Sequence, residues 1–186
     1  MYLLVFQAQE HFNNQSVMIK IKVNSTMLKD DWLVFYKNNK SINGPETLKN
    51  MTRYAQTVGA SNNSILYHAS GYSIYSEDKG KEDNYSKLLS DVCTNGTFCR
   101  GPSAVIFVEF QGQYNPRSMV RGTAGTFGVH KVYFTLQDLK TMNATFANCK
   151  QGKRRRRKGQ GNKGKGKGKK GKGRKSEATI KKAGPK

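Results

Sequence analysis

The last 36 residues most constrain how this chain folds, because they contain almost nothing that a folded core can use. Residues 151–186, called here the basic tail, hold 17 lysines and arginines against one acidic residue, Glu177, a net charge of +16. Lysine and glycine alternate over most of the segment up to Lys175. So few apolar side chains bury too little surface to offset the chain entropy lost on folding. The sequence therefore predicts a disordered basic tail and a globular domain confined to residues 1–150.

Residues 1–150 have the length of one ordinary domain. A domain of this size buries roughly two thirds of the surface of its unfolded chain, which is enough for an independent core. Its 16 lysines and arginines against 11 acidic residues contribute only +5 of the total charge of +21. No stretch reaches the ~18 consecutive apolar residues that indicate a transmembrane helix. The expected organisation is one globular domain with a polycationic appendage.

The spacing of apolar residues predicts both strands and helices in this domain. Apolar and polar residues alternate over 17–23, which is typical of a strand with one buried face. The apolar runs 64–67 and 104–110 also favour strands, the first of them a central one. Helical spacing over 48–58 and again over 136–142 predicts two helices. Strands that alternate with helices favour an α/β fold in layers.

Three cysteines lie in the domain and none in the basic tail. Cys93, Cys99 and Cys149 contain no Cys-x-x-Cys pair, so the spacing supports neither a zinc ribbon nor a thioredoxin-like motif. One disulfide with one thiol left over is the simplest arrangement, and the sequence leaves the pairing open. An odd thiol in a secreted chain indicates a missing partner or an intermolecular bond.

Asn-x-Ser/Thr sequons give the strongest indication of the cellular compartment. Fifteen asparagines would produce roughly two sequons by chance if serine and threonine fill about an eighth of positions. The chain has eight, which predicts a secreted, extracellular glycoprotein. The acceptors are Asn14, Asn24, Asn39, Asn50, Asn62, Asn84, Asn95 and Asn143.

The N-terminus does not carry the signal peptide that secretion requires. Residues 1–6 are apolar, but no basic region precedes them, and Gln7, Gln9 and Glu10 end the run. An apolar core of 7 to 15 residues is needed for such a peptide. We therefore expect that the chain starts inside a longer precursor.

Several short motifs follow one another in an order that resembles a known family. A strand-like segment and a helix lead to Tyr72-Ser73-Ile74-Tyr75-Ser76, Cys93, Ser103-Ala104-Val105-Ile106-Phe107 and Gly112-Gln113-Tyr114, and Met142 precedes Phe146-Ala147-Asn148-Cys149. This order resembles the catalytic domain of secreted reprolysin-type metzincin metalloproteases, particularly those of tick saliva. The resemblance covers roughly residues 1–150. It implies an α/β fold with a mostly parallel mixed sheet and flanking helices, truncated at its N-terminus.

The zinc motif that this resemblance implies is missing. Where the family has His-Glu-x-x-His, this chain reads Gly122-Thr123-Ala124-Gly125-Thr126, and His130 is out of register for the third ligand. Two histidines four residues apart hold Zn²⁺ from one helix face, and the glutamate between them serves as general base. With all three absent, the sequence predicts no cofactor, whereas an intact motif would bind zinc. The chain as written is expected to be an inactive relative.

No other catalytic arrangement is apparent in the sequence. His11, His68 and His130 lie far apart, and no motif connects any of them to a serine or cysteine nucleophile. Each is interpreted as a structural or surface histidine.

The basic tail is expected to bind anions by releasing their counterions, without reading sequence or shape. Candidate partners are heparan sulfate or another glycosaminoglycan, anionic phospholipid surfaces, and extracellular nucleic acid. Arg154 to Arg157 also contain the Arg-x-x-Arg pattern that furin-like proteases cut, although four arginines are equally expected in a polycation. The predicted polyanion-binding residues are Lys153, Arg154, Arg155, Arg156, Arg157, Lys158, Lys163, Lys165, Lys167, Lys169, Lys170, Lys172, Arg174 and Lys175.

These observations predict a secreted metalloprotease-like protein that lacks the zinc site and acts by binding rather than by cleavage. One alternative is an active secreted zinc endopeptidase whose sequence record is damaged, for instance by a frameshift. Another is an intracellular nucleic-acid-binding protein, because basic clusters also serve as nuclear localisation signals. The sequons and the lack of stacking aromatic residues in the basic tail count against the second alternative.

Overall fold

The computed structural model describes residues 2–36, 41–76, 87–109 and 116–158. Within these ranges the chain forms four helices and six strands, which confirms a mixed α/β fold. The helices are α1 (Tyr2–Asn14), α2 (Gly44–Thr57), α3 (Arg117–Thr126) and α4 (Leu136–Lys158). The strands are β1 (Ser41–Asn43), β2 (Ile65–Ser70), β3 (Ser73–Ser76), β4 (Lys87–Leu89), β5 (Asp91–Cys93) and β6 (Ser103–Val108).

The strands form two small mixed sheets instead of the one mostly parallel sheet that was expected. One has the order β1-β3-β4 and the other β2-β6-β5. In each, one pair is parallel (β1 with β3, β2 with β6) and one is antiparallel (β3 with β4, β5 with β6). The apolar run 64–67 begins an outer strand, β2, whereas β6 takes the central position.

Strand β6 is buried on both faces. Val105 and Phe107 belong to a core that α1, α3 and α4 share, whereas Ala104 and Ile106 belong to a second core with Met51 of α2. Successive residues of a strand face opposite sides, so one five-residue apolar run serves both cores. This arrangement explains why the run is continuously apolar, and it confirms the strand predicted there.

Helix α2 begins earlier than the apolar spacing predicted. The side chain of Asn43 accepts a hydrogen bond from the backbone N–H of Glu46, and Pro45 occupies the first turn, where its missing N–H costs nothing. The helix ends before Gly59, which has a φ of +64°. The helix is therefore confirmed, with its start set by a cap.

The strand predicted at 17–23 is wrong. Exposure alternates along the segment as predicted, but it pairs with no described strand. Instead, α1 side chains accept its backbone hydrogen bonds: Ile19 N–H donates to Asn13 Oδ1 at 3.1 Å, and Ile21 N–H to Gln9 Oε1 at 2.7 Å. Helix α1, which the sequence analysis did not predict, thus takes the place of a neighbouring strand.

Helix α4 includes the predicted helix at 136–142 and continues much further. It runs to Lys158, so the predicted boundary at residue 150 falls inside a helix, and residues 159–186 lie outside the described residues. A disulfide joins Cys99, just before β6, to Cys149, with the two Cα atoms 4.9 Å apart. Cys93 on β5 remains a free thiol. The disulfide closes a loop of 50 residues, a length for which chain entropy predicts about 4 kcal/mol of stabilisation.

Candidate functional site

A buried carboxylate on β5 organises the main polar cluster of the described domain, called here the Asp91 cluster (Asp91, Cys93, Arg121 and His130). Arg121 Nε donates to Asp91 Oδ1 at 2.7 Å, and its Nη2 donates to Asp91 and to Ser90 Oγ. His130 Nε2 lies 2.7 Å from Asp91 Oδ2. The Asp91 side chain is 0% exposed, so its two oxygens rely on these partners.

The partners of Asp91 determine the charges in the cluster. Burial by itself would raise the pKa of Asp91, but hydrogen bonds from His130 and Arg121 outweigh it and hold that pKa below its ordinary value. The bond to Asp91, followed by one to Cys93, raises the pKa of His130 to about 9. At neutral pH the cluster therefore has two cations around one anion, and it carries net positive charge.

These shifts predict a stability optimum in mildly acidic solution. Because the pKa of His130 rises from 6.5 to about 9, its contribution is complete below pH 6.5 and is lost as the pH rises through 9. Asp91 contributes above its ordinary value of 3.8, and that contribution is lost as the pH falls through its lowered pKa. Urea unfolding between pH 4 and pH 10 should show declining stability above pH 6.5. The decline should be absent in His130→Gln; an equal decline in both proteins would contradict the assignment.

Two glycines bring α3 into direct contact with the second sheet. A Cβ atom at Gly122 would lie 2.4 Å from Val105 Cγ1, and one at Gly125 would lie 2.2 Å from Cys93 Sγ and 3.1 Å from His130 Cδ2. A glycine costs a helix about 0.8–1 kcal/mol relative to alanine. Glycine is nevertheless required at both positions, because a larger residue would prevent the close approach of α3 to the strands.

The stretch 122–126, where the resemblance placed a zinc motif, is therefore part of the packed interface between α3 and the second sheet. Thr123 and Thr126 are buried, and their hydroxyls donate to the carbonyls of Met119 and Thr123. Thr123 also bonds the hydroxyl of Tyr67, whose pKa burial raises to about 12. No group of three or more His, Cys, Asp or Glu side chains suited to a metal occurs among the described residues. The residues at this position do not fit a zinc ion.

The three histidines have different environments. His11 Nε2 lies 2.8 Å from the carbonyl of Val132, and His68 Nδ1 accepts a bond from the Trp32 indole at 3.4 Å. His130 was interpreted as a structural or surface histidine, but its Nε2 bonds Asp91, which raises its pKa, and its ring lies beside Cys93, which raises that pKa further. No motif could reveal this contact, because His130 and Asp91 are 39 residues apart in sequence.

A cavity of about 470 Å³ lies beside the Asp91 cluster and is called here the α3 cavity. Arg117 and Arg121, the two arginines of its lining, are one helical turn apart on α3, so they share a face. The hydroxyl-bearing residues Ser90, Ser118 and Tyr133 contribute further wall. Its lining consists of Ser90, Arg117, Ser118, Arg121, Val132 and Tyr133.

The predicted glycosylation sites differ in how available their amides are. Asn14, Asn24, Asn62, Asn95 and Asn143 are exposed, whereas Asn39 and Asn84 lie outside the described residues. Asn50 is half-buried; its Nδ2 donates to the Trp32 carbonyl at 3.2 Å, and its Oδ1 accepts from Arg53. A glycan on Asn50 Nδ2 would have to displace the first of these bonds.

Glycosylation in a secretory host should follow this difference. We expect glycans on the five exposed asparagines and the lowest occupancy at Asn50. Glycopeptide mass spectrometry before and after endoglycosidase treatment measures each site. Full occupancy at Asn50 would contradict the structural ranking, and an unchanged total mass would remove the main argument for secretion.

The predicted polyanion-binding residues divide into two groups. Lys153 to Lys158 belong to the last turns of α4, and those from Lys163 to Lys175 lie outside the described residues. Within the described part of the chain, no helix combines the length and apolar character needed to cross a membrane. Comparison of the chain with known protein families, curated proteins and solved structures found no match.

Proposed function

We propose that this chain is a secreted metalloprotease-like protein without a zinc-binding motif, which acts by binding polyanionic surfaces through its basic tail. The observation that carries the proposal is the distribution of charge: +16 of the total +21 lies in residues 151–186. Glycosaminoglycans such as heparan sulfate are the primary partners. Anionic phospholipid and extracellular nucleic acid bind by the same counterion release.

The domain supports this function by providing a fixed attachment point for the basic tail. Cys149 is two residues from the start of the basic tail, and its disulfide to Cys99 fastens α4 beside β6. Six basic residues, 153–158, continue that helix. Cations near the C-terminal end of a helix are favoured by its dipole. Polyanions that bind the basic tail are thereby held close to the domain.

The packing under α3 supports a binding role over proteolysis. A histidine in place of Gly122, the first histidine position of such a motif, would collide with Val105, so the present helix position and a zinc motif in this stretch are incompatible. The buried Asp91 is already paired with two cations, Arg121 and His130. A divalent metal ion would have to compete with both of them for that carboxylate.

Metal content and activity test the non-catalytic part of the proposal. Protein purified from a secretory host should contain no stoichiometric zinc and show no chelator-sensitive peptidase activity. Elemental analysis and a peptide-cleavage assay with and without chelator provide the measurements. One zinc per chain, with activity lost in chelator, would favour the alternative of an active endopeptidase and would call for re-sequencing of the transcript.

The salt dependence of heparin binding tests the binding part. The logarithm of the affinity of the full chain should fall linearly with the logarithm of salt concentration, steeply because many cations engage. Titrations at four or more salt concentrations give the slope. A shallow slope would sink polyelectrolyte binding as the mechanism.

A further inference from the structure

We propose that the α3 cavity is a second anion site, which binds a single tetrahedral oxyanion of the kind found in sulfate esters. The site lies in the folded domain and uses none of the residues of the basic tail. Its assignment to a sulfate ester of a glycosaminoglycan rests on the proposed function, whereas binding of the free oxyanion does not.

Arg121 provides a rigid donor in the wall of the cavity. Its Nε and Nη2 donate to Asp91 and Ser90, so the guanidinium is held in place by a buried carboxylate. The two N–H groups of Nη1 have no hydrogen-bond partner among the described residues. The side chain is 37% exposed and lines the cavity. The fixed Nη1 atom, with two N–H donors, can bond the oxygens of a sulfate or phosphate group.

The surroundings of Arg121 also favour an anion. Arg117 lines the same cavity one turn earlier, and Ser118 adds a hydroxyl donor. The hydroxyl of Ser90 is already donated to Asp91 Oδ1 at 3.0 Å. His130 is protonated at neutral pH and adds a positive charge on the far side of Asp91. α3 begins after Pro116, whose side chain does not cap the N–H groups of the first turn. The positive end of the helix dipole therefore also favours an anion here.

The cavity is large enough for this ligand. Its volume of about 470 Å³ accommodates one oxyanion and part of the sugar that carries it. Val132 and Tyr133 form an apolar side against which a sugar ring can pack. The lining of the α3 cavity therefore fits a sulfated monosaccharide unit.

The experiment uses ¹⁵N-labelled full-length protein titrated with sodium sulfate, and with sodium chloride at matched ionic strength. We expect saturable chemical-shift changes at the Ser118 and Arg121 backbone amides and at Arg121 Nε, absent in chloride. Arg117→Gln removes one charge of the cavity without touching Asp91, and it should weaken binding about tenfold. Arg53→Gln, on α2, is the matched control and should bind as the native chain does.

Each outcome decides the inference. Equal shifts in sulfate and chloride, or unchanged binding in Arg117→Gln, indicate an adventitious ion only and overturn it. If Arg117→Gln does not fold, Ser118→Ala supplies the same comparison. A sulfated heparin disaccharide should compete while its desulfated form should not; competition by phosphate alone would overturn the glycosaminoglycan assignment. If sulfate causes no such chemical-shift changes while the chain still binds heparin, the anion site in the α3 cavity is refuted and the proposed function is unaffected.

Discussion

Removing residues 159–186 is expected to weaken heparin binding by about a thousandfold at low salt. The deletion removes eleven lysines and arginines and one glutamate, a net charge of +10, and leaves +11 on the rest of the chain. Proteins that make six to ten phosphate contacts lose roughly 10³–10⁵ in affinity between 50 and 200 mM salt, so the loss of that many cations has an effect of this size. The cut follows Lys158 because α4 continues to that residue.

Two comparisons make the deletion informative. A full chain whose residues 159–186 are shuffled at constant composition should bind as the native chain does, because counterion release depends on charge density rather than order. A further deletion from residue 151 should remove most of the binding that remains. Surface plasmon resonance on immobilised heparin measures all four proteins.

Two results would contradict this expectation. A shuffled tail that fails to bind would point to a specific motif. A protein without residues 151–186 that still binds heparin in about 0.5 M salt, where the Debye length is only about 4–5 Å, would place the main binding site in the globular domain. In that case the α3 cavity becomes the first candidate.

Replacing Arg121 with glutamine is expected to lower the free energy of unfolding by about 3 kcal/mol. The substitution removes the hydrogen bonds from Nε and Nη2 to a carboxylate that is 0% exposed. Breaking a buried ion pair costs about 3–5 kcal/mol because the remaining charge is left uncompensated. The lower end applies here, since His130 still bonds Asp91 Oδ2 and the guanidinium itself is 37% exposed.

Urea denaturation of a small set of variants measures this effect. Arg53→Gln replaces an exposed arginine whose side chain bonds Asn50, and it should change stability by less than about 0.5 kcal/mol. The double variant Asp91→Asn, Arg121→Gln should recover part of the loss, because it also removes the buried charge. A loss below about 1 kcal/mol in Arg121→Gln, or no recovery in the double variant, would mean that Asp91 is better solvated than the structure indicates.

Local sequence determined the elements whose signals are contained within a few residues. The apolar run 104–110 predicted a strand from its β-branched and aromatic residues, and β6 confirms it over Ser103–Val108. Its burial on both faces became evident only in the structure. Asn43, Pro45 and Gly59 delimit α2 through a cap, a pre-set φ and a left-handed residue, all of them local effects. The division of charge between domain and basic tail is likewise a property of the sequence alone.

Tertiary structure decided whatever depended on a distant partner. The alternation over 17–23 predicted the exposure pattern correctly, but the segment is not a strand. A strand needs a neighbouring strand, and the neighbour here is α1, whose Asn13 and Gln9 side chains accept the hydrogen bonds. The pairing of Cys99 with Cys149 was likewise open until the fold brought α4 beside β6.

The Asp91 cluster likewise depends on residues that are distant in sequence. Asp91, Arg121 and His130 come from a strand, a helix and a loop, and each is an unremarkable surface-type residue in its own sequence context. Gly122 and Gly125 disfavour a helix by their intrinsic propensity, but they allow α3 to approach Val105 and Cys93 and so bring Arg121 and His130 to Asp91. Periodicity and capping act over one or two turns of chain, whereas a buried charge is defined by the groups that fold around it, and only the assembled domain specifies those groups.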